Sequence, residues 1–579
     1  MSLRSYWEFL AKYLRAWRLR VALLAVLLLG SIGLQLLNPQ ILRYFIDTAA
    51  RGGTLPRLLG AAAIFIGVAL ATQALSVAAT YVGEQVAWLA TNTLRADLTQ
   101  HCLELDMPFH NARTPGEMIE RIDGDVTALA NFFSQFMLRV VGSGLLLAGV
   151  LVLLWREDWR IGAVLSLFAL VALVVLGRVR GIAVSCFTAS RAARADMFGF
   201  IEERLAALDD LRANGAGAFV MQRLHAYMQR NFIAARSADL RGFTLWVITN
   251  ILFTTGYVTA LAVGAYLFRR GAITAGTVYL IFQYTDLLRR PLEQITDQLK
   301  DLQKATASIG RVRELHDIPR TVLDGDGPPL APGALEVEFD GVLFGYGADE
   351  PVLRDLSFRL RPGWVLGLLG RTGSGKTTVT RLLFRLYDPE AGTIRLGGRE
   401  IRTTSLADLR ARVAIVTQDV QLFHATVRDN LTLFDRTIPD ERIRAVLREM
   451  GLGAWFAALP AGLDAELAPG GSGLSAGEAQ LLAFSRALLK DPSIVVLDEA
   501  SSRIDPATEA LIERAVDRLL VGRTGIVIAH RLHTVLRADE IIILEAGTIR
   551  ERGNRAALQE QPDSYFAQLL QTGLQEVLV

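Results

Sequence analysis

Three long uncharged runs dominate the first half of the chain. Val21 to Leu42, Leu58 to Gly83 and Gly242 to Phe268 hold 22, 26 and 27 residues. A helix needs about 20 apolar residues to cross the hydrocarbon core of a bilayer, within a range of about 17–25. Buried helices of a soluble domain do not need such lengths, so these runs are read as membrane spans. Shorter clean segments add to them. They are Val140 to Trp155, with Val126 to Leu138 before it across Arg139, then Ile161 to Gly177, then Gly271 to Thr285 after Arg269 and Arg270. Six spans are expected. The first is too long for a cleaved secretory signal and lacks a small-residue cleavage site.

Flanking charge gives the orientation. Arg4, Lys12, Arg15, Arg18 and Arg20 precede the first span, which places the N-terminus in the cytoplasm. An even number of spans returns the C-terminus to the same side. The expected location is the plasma (inner) membrane, multi-pass. Short loops at 43–57, 156–160 and 269–270 then face outward, and the long charged segments 84–139 and 178–241 face the cytoplasm. Trp7, Tyr13 and Trp17 suit a helix lying at the interface, and Trp155 and Trp159 suit an aromatic belt.

Beyond the sixth span, Leu288, Leu292, Ile295, Leu299 and Leu302 recur at alternating steps of four and three, the period of one helix face. The sixth span is therefore expected to continue as a helix into the cytoplasm. Pro319, Pro328, Pro329 and Pro332 then mark a linker. This gives a transmembrane domain over 1–318, a linker over 319–334 and a soluble domain over 335–579. The whole-chain figures hide this division. Apolar residues make up 51%, charged residues 21%, and net charge is +2, which excludes a disordered chain and leaves no electrostatic footprint for nucleic acid. Two cysteines, Cys102 and Cys186, exclude a disulfide framework.

The soluble part opens with a buried-strand pattern, Trp364-Val-Leu-Gly-Leu-Leu, that runs into Gly370-Arg-Thr-Gly-Ser-Gly-Lys376-Thr377. This is the phosphate-loop pattern in its strand–loop–helix setting. Glycines let backbone N–H groups turn in around phosphate at the positive end of the next helix. Gly370, Gly373, Ser374, Gly375, Lys376, Thr377 and Thr378 are the expected phosphate-binding residues. Lys376 reaches the β/γ-phosphates and Thr377 holds Mg²⁺. A second buried strand, Ser493 to Leu497, ends in Asp498-Glu499. Asp498 there is suited to Mg²⁺, and Glu499 to taking a proton from the attacking water.

With both elements present, residues 335–579 resemble the nucleotide-binding domain of ABC transporters, and 1–318 resemble their exporter-type transmembrane domain. The fold class implied is an α-helical six-span transmembrane domain followed by an α/β P-loop ATPase domain. Leu474-Ser-Ala-Gly-Glu478 stands in the place of the family's LSGGQ signature. Gln418 matches the Q-loop, His530 the switch histidine, and Asp505, in Ser502-Arg-Ile-Asp, the D-loop. Tyr346 sits where the family stacks an aromatic ring on adenine. The membrane half carries Arg113-Thr-Pro-Gly-Glu-Met-Ile-Glu120, similar to the first cytoplasmic loop of exporters. Gly271-Ala-Ile-Thr-Ala-Gly-Thr and Arg290-Pro-Leu-Glu-Gln are similar to their sixth span.

The resemblance implies ATP and Mg²⁺ as cofactors and a dimeric working unit. Ser475 and the Gly477 N–H then contact the γ-phosphate bound by the other chain. Glu499 is the implied general base, His530 orients water and phosphate, and Gln418 touches Mg²⁺. Short helices near His110–Gly116 and Asn214–Phe219 are expected to dock onto an ATPase domain.

Two departures stand out. Ala476 replaces the usual Gly, adding a Cβ that penalises any φ > 0. Glu478 replaces the usual Gln, adding a negative charge near the phosphates unless its side chain points away. Since Lys376, Asp498, Glu499 and His530 are intact, the pattern favours one half of a heterodimer over a homodimer. An ATP-gated membrane regulator that pumps nothing, and an importer on the same fold, are the alternatives. The transported substrate is not legible. Gln35, Asn38, Gln73, Asn131, Gln135, Asn250, Tyr257 and Gln283 are polar residues in or near the spans.

Overall fold

The computed structural model describes residues 13, 15–347, 350–417, 419–471, 473–498, 506–528 and 535–572. Two compact units are present, Met1–Leu103 with Thr114–Ile318 and Glu104–Arg113 with Pro319–Val579.

Among the described residues, six long helices build the first unit: α1 (Arg18–Ala50), α2 (Leu55–Glu104), α3 (Gly142–Glu157), α4 (Trp159–Ala206), α5 (Gly217–Arg269) and α6 (Ala275–His316). Local chemistry sets two of the starts. Asp158 accepts a 2.8 Å hydrogen bond from the Arg160 N–H to cap α4, and Thr274 caps α6 by accepting from the Thr277 N–H. Side-chain oxygens at these positions satisfy N–H groups that a helix start leaves without partners. Among the described residues, Arg15–Ala50, Leu55–Glu104, Arg139–Glu157, Trp159–Val179 and Gly217–Arg269 are long and apolar enough to cross a membrane.

The sixth expected span differs from these five. Helix α6 runs only from Ala275 to Thr285 before Asp286, and Arg289, Arg290 and Glu293 follow. Hydropathy alone therefore does not place it. Packing does: Leu280, Ile281, Tyr284, Leu288 and Leu292 are fully buried in the core of the first unit. Outside that core the arrangement of a soluble protein is inverted. Leu59, Ile64, Ile66 and Leu70 on α2 are exposed, an unfavourable surface in water and a suitable one in lipid.

Polar contacts join the ends of α1, α3 and α6. Arg43 pairs with Glu157 at 2.7 Å, and Asp47 accepts from the Thr274 hydroxyl at 2.7 Å and the Gly276 N–H at 2.9 Å. Gly276 is required there, because a Cβ would lie 2.6 Å from the Arg43 carbonyl oxygen.

The second unit holds two sheets. One is antiparallel, in the order β2 (Pro351–Leu360), β1 (Val337–Gly345), β4 (Ala391–Leu396), β5 (Arg399–Glu400). The other has the order β10 (Thr548–Asn554), β9 (Glu540–Glu545), β3 (Val365–Gly370), β8 (Thr524–Ile528), β7 (Ile494–Asp498), β6 (Val413–Val416). All its pairings are parallel except β9 with β10. Parallel strands covered on both faces are expected to be apolar throughout. Leu366, Val495, Val496 and Ile526 are accordingly 0% exposed.

Residues 319–334 contain neither helix nor strand. They pack onto the second unit, with Leu330 buried in the core beside Val337 and Phe339 and the Gly327 N–H donating to the Thr403 carbonyl at 2.8 Å. A short helix, Met107–Asn111, also belongs to this unit, slightly before the position expected from sequence. Met107 packs against its core, and the Asn111 amide donates to the Tyr387 hydroxyl at 2.8 Å. No separate short helix is found at the second expected position among the described residues: residues 214–216 form a turn and α5 begins at Gly217, the short helix beside it being Leu208–Ala213, in the first unit.

Candidate active site

Strand β3 ends at Gly370 with φ +146°, where a Cβ would meet the Leu544 carbonyl oxygen of β9 at 2.3 Å. No other residue fits. Gly373 and Gly375 follow at φ +83° and +107°, a left-handed backbone that side chains disfavour. Helix α7 (Lys376–Leu383) begins at once, so the loop is set against N–H groups that have no intrahelical partner.

Lys376 is 7% exposed, and its Nζ donates to the carbonyl oxygens of Gly370 at 2.5 Å and Arg371 at 3.0 Å. Burial pushes its pKa below the ordinary lysine value, while the nearby Asp498 carboxylate acts in the opposite direction. Ser374 Oγ is buried and has no hydrogen-bond partner among the described residues. A buried hydroxyl of this kind is costly unless something supplies an acceptor. Placed inside the glycine turn, it fits a phosphate oxygen. Thr377 is exposed and free to reach a ligand.

Asp498 closes β7, and its register partner is Ile528 at the end of β8. The strand order β3, β8, β7 brings the carboxylate to the same edge as the phosphate loop, the carboxyl end of parallel strands where ligands bind in such sheets. The Tyr346 ring is 45% exposed, and its hydroxyl lies 3.1 Å from Thr378 Oγ1 and accepts from Arg381 at 3.2 Å. Phe344 and Tyr387 pack edge-on against it at centroid distances of 5.0 and 5.3 Å. The structure thus groups Gly370, Gly373, Ser374, Gly375, Lys376, Thr377, Thr378 and Asp498, with Tyr346 held against Thr378. Gln418, Glu499, Asp505 and His530 lie outside the described residues.

Arg550 and Tyr565 had no signal in the sequence. With Arg371, Thr372 and Glu545 they border a cavity of about 290 Å³ beside the phosphate loop, and the Arg550 guanidinium sits 3.6 Å from the Tyr565 ring centroid. The register that pairs Gly370 with Leu544 brings them there, and no local pattern encodes it.

The signature loop corrects one expectation and completes another. Ser475 is the N-cap of α8 (Ala476–Lys490). Ala476 is therefore helical, and its Cβ meets no left-handed backbone. Glu478 does not point away from the loop. Its Oε2 accepts from the Ser475 N–H and from the Ser475 hydroxyl, both at 2.8 Å, while Ser475 Oγ accepts from the Glu478 N–H at 3.2 Å. This reciprocal pair is a capping box. Gly477 is buried, and a Cβ there would meet Thr508 Cγ2 at 2.1 Å.

Residues 353–502 match the family model of the ABC transporter, and residues 21–292 that of the ABC transporter transmembrane region. A Bacillus subtilis protein described as "Probable multidrug resistance ABC transporter ATP-binding/permease protein" is 32% identical over 479 residues, covering 82% of this chain and 71% of its own length. The chain belongs to the ABC transporter family. An ATP-dependent lipid A-core flippase of Idiomarina loihiensis is 30% identical, with 85% of each chain covered. A solved structure of a bacterial Atm1-family ABC exporter with ATP bound superposes with a TM-score of 0.78 at 26% identity, covering 96% of this chain and 98% of the other. This ABC transporter is an integral membrane, multi-pass, ATP-driven exporter. A helical transmembrane region is fused to an α/β nucleotide-binding domain that binds ATP.

Proposed function

We propose that this exporter works as one half of a dimer, a heterodimer in preference to a homodimer. It sits in the plasma (inner) membrane with both termini cytoplasmic. Each ATP lies between the phosphate loop of one chain and the signature loop of the other. On this chain Lys376, Ser374 and the Gly373 and Gly375 backbone bind the phosphates, and Tyr346 stacks on adenine. Thr377, Gln418 and Asp498 are the residues that hold Mg²⁺, which supplies charge neutralisation at the β/γ-phosphates. Glu499 takes the proton of the attacking water, and His530 orients that water. Asp505 lies at the interface between the chains, where Ser475 and the Gly477 N–H meet the γ-phosphate held by the partner. ATP closes the two nucleotide-binding domains, and the closed state is selected by its higher affinity for ATP.

One observation carries the heterodimer reading. In the signature loop the Ser475 hydroxyl donates to the carboxylate of Glu478, a charge that repels a polyphosphate. The phosphate loop itself is intact. A chain with a complete phosphate loop and a compromised signature is complemented by a partner with a sound signature. The test is to purify the full chain expressed alone and measure native mass and ATPase rate. The expected result is weak turnover that rises when the partner half is added. A stable homodimer that turns over ATP unaided, and loses activity in Glu499→Gln, would sink the heterodimer assignment.

A further inference from the structure

At the end of the first unit where α6 begins, three turns lie side by side, joining α1 to α2, α3 to α4 and α5 to α6. Polar ties hold them together, Arg43 with Glu157, and Asp47 with the Thr274 hydroxyl and the Gly276 N–H. Residues 43–57, 156–160 and 269–274 carry seven arginines and three acids. All three acids are engaged within this rim. Glu157 pairs with Arg43, Asp47 accepts from α6 and the residue before it, and Asp158 accepts from the Arg160 N–H. Six arginines are left over, Arg51, Arg57, Arg156, Arg160, Arg269 and Arg270. All six are exposed, and none forms an ion pair with a described residue.

A helix C-terminus attracts cations, which suits Arg51, Arg156, Arg269 and Arg270. It does not account for Arg57 and Arg160, which stand in the first turns of α2 and α4, at the end of a helix that repels positive charge. The rim also marks the level of a bilayer surface. Trp155, Trp159 and Tyr266 are 48%, 63% and 50% exposed there. The Arg160 and Arg270 guanidinium groups lie 5.7 and 4.6 Å from the Trp159 and Tyr266 ring centroids. Rings of this kind sit at the head groups. One turn deeper the surface is apolar, with Val152 below Arg156 and Leu59 below Leu55 both exposed. The uncompensated charge is therefore collected at the depth of lipid phosphates.

We propose that this rim is a binding surface for the phosphate head groups of anionic bilayer lipids. Each exposed guanidinium offers a fork of N–H donors that matches a phosphate, and the excess of positive charge draws anionic lipid in preference to zwitterionic lipid. Cytoplasmic loops ordinarily hold the arginine excess of a membrane protein, so arginines gathered at outer turns are not a by-product of insertion. Placing this end at the outer face rests on the orientation proposed above; the lipid binding does not. It is equally independent of which chains form the dimer and of the rate of hydrolysis.

The test uses the full-length chain in bilayers of phosphatidylcholine that contain a small fraction of brominated phosphatidylglycerol or brominated phosphatidylcholine. Bromine quenches tryptophan, so Trp155 and Trp159 report which lipid gathers at the rim. Phosphatidylglycerol is expected to be preferred by at least about fivefold, and the preference should fall as salt is raised. Replacing Arg51, Arg57, Arg156 and Arg269 together by Gln should reduce it to within about twofold of parity, and replacing the same four by Lys should keep most of it. A distal variant with the same loss of charge, Arg191, Arg194, Arg212 and Arg236 to Gln, should leave the preference unchanged. The Lys variant and the salt series on the unaltered chain decide the matter if the Gln variant folds poorly. Equal quenching by the two lipids, a preference indifferent to salt, or a rim variant indistinguishable from the distal one overturns the proposal. So does loss of the preference on adding inorganic phosphate at constant ionic strength, which would assign the rim to free anions. ATPase activity is not read, so failure here is distinct from failure of the dimer assignment.

Discussion

The two units sort the same kinds of side chain in opposite directions. In the first, leucines and isoleucines such as Leu59 and Ile66 face outward, and the interior carries polar ties such as Arg43 with Glu157 and Tyr284 with the Leu36 carbonyl. In the second, the apolar residues fill two cores, and polar groups collect at strand ends and on the surface. The physical reason is the solvent. Water rewards burial of every apolar group, whereas lipid is as apolar as the groups themselves and rewards packing and polar pairing between helices. The teaching is that a charged residue carries different information in each unit. In the second it is ordinary unless it stands at the phosphate loop, and in the first it needs a partner or a ligand.

The largest expected effect comes at the one buried lysine of the phosphate loop. Lys376→Met should lower ATP turnover by at least about 100-fold, since it removes a charge aimed at the transferred phosphoryl group. The variant should not lose thermal stability. The folded-state pKa of Lys376 lies below its ordinary value, so between the two values the unfolded chain binds more protons. Stability then rises with pH between those two values and is lowest below both. Melting curves over a pH series, without nucleotide, should show a shallower rise in the variant. A loss of turnover accompanied by a lower melting temperature at neutral pH would assign Lys376 to structure instead.

A second expectation contrasts the units directly. Arg43→Met strands Glu157 between helices and should cost about 2 kcal/mol, less than a fully buried pair because both side chains keep some exposure. Arg359→Met breaks an ion pair with Glu336 on the exposed face of the second unit, where Arg359 is 64% exposed, and should change stability much less, because water and salt screen the pair. Thermal melting of the two variants at low and high salt checks both, and equal costs would erase the contrast. The smallest change in stability belongs to Glu478→Gln. Glutamine also completes a capping box, so the folding stability should hold within about 0.5 kcal/mol. Turnover at the site this signature completes should rise, because the carboxylate on the Ser475 hydroxyl is gone. An unchanged rate would mean that the charge of Glu478 does not reach the phosphates.

Much of the protein is legible in its sequence. Five spans follow from composition, because a bilayer demands length and apolarity from the segment itself. The phosphate loop is equally local: Gly370, Gly373 and Gly375 are read from spacing, and each has the backbone that the motif requires. The rest depends on neighbours far away in the chain. Helix α6 is too charged to place by hydropathy, and its burial comes from the other helices. Glu478 has no fixed role as a letter in the sequence, and the contact of its carboxylate with the Ser475 hydroxyl gives it one. Arg550 reaches the phosphate loop through the pairing of β9 with β3. Sequence by itself determined the elements whose energetics are local, namely spans, turns and the loop that turns around phosphate. Tertiary structure decided which charges are paired and which are left open, because pairing depends on distances across the fold that no period in the chain records.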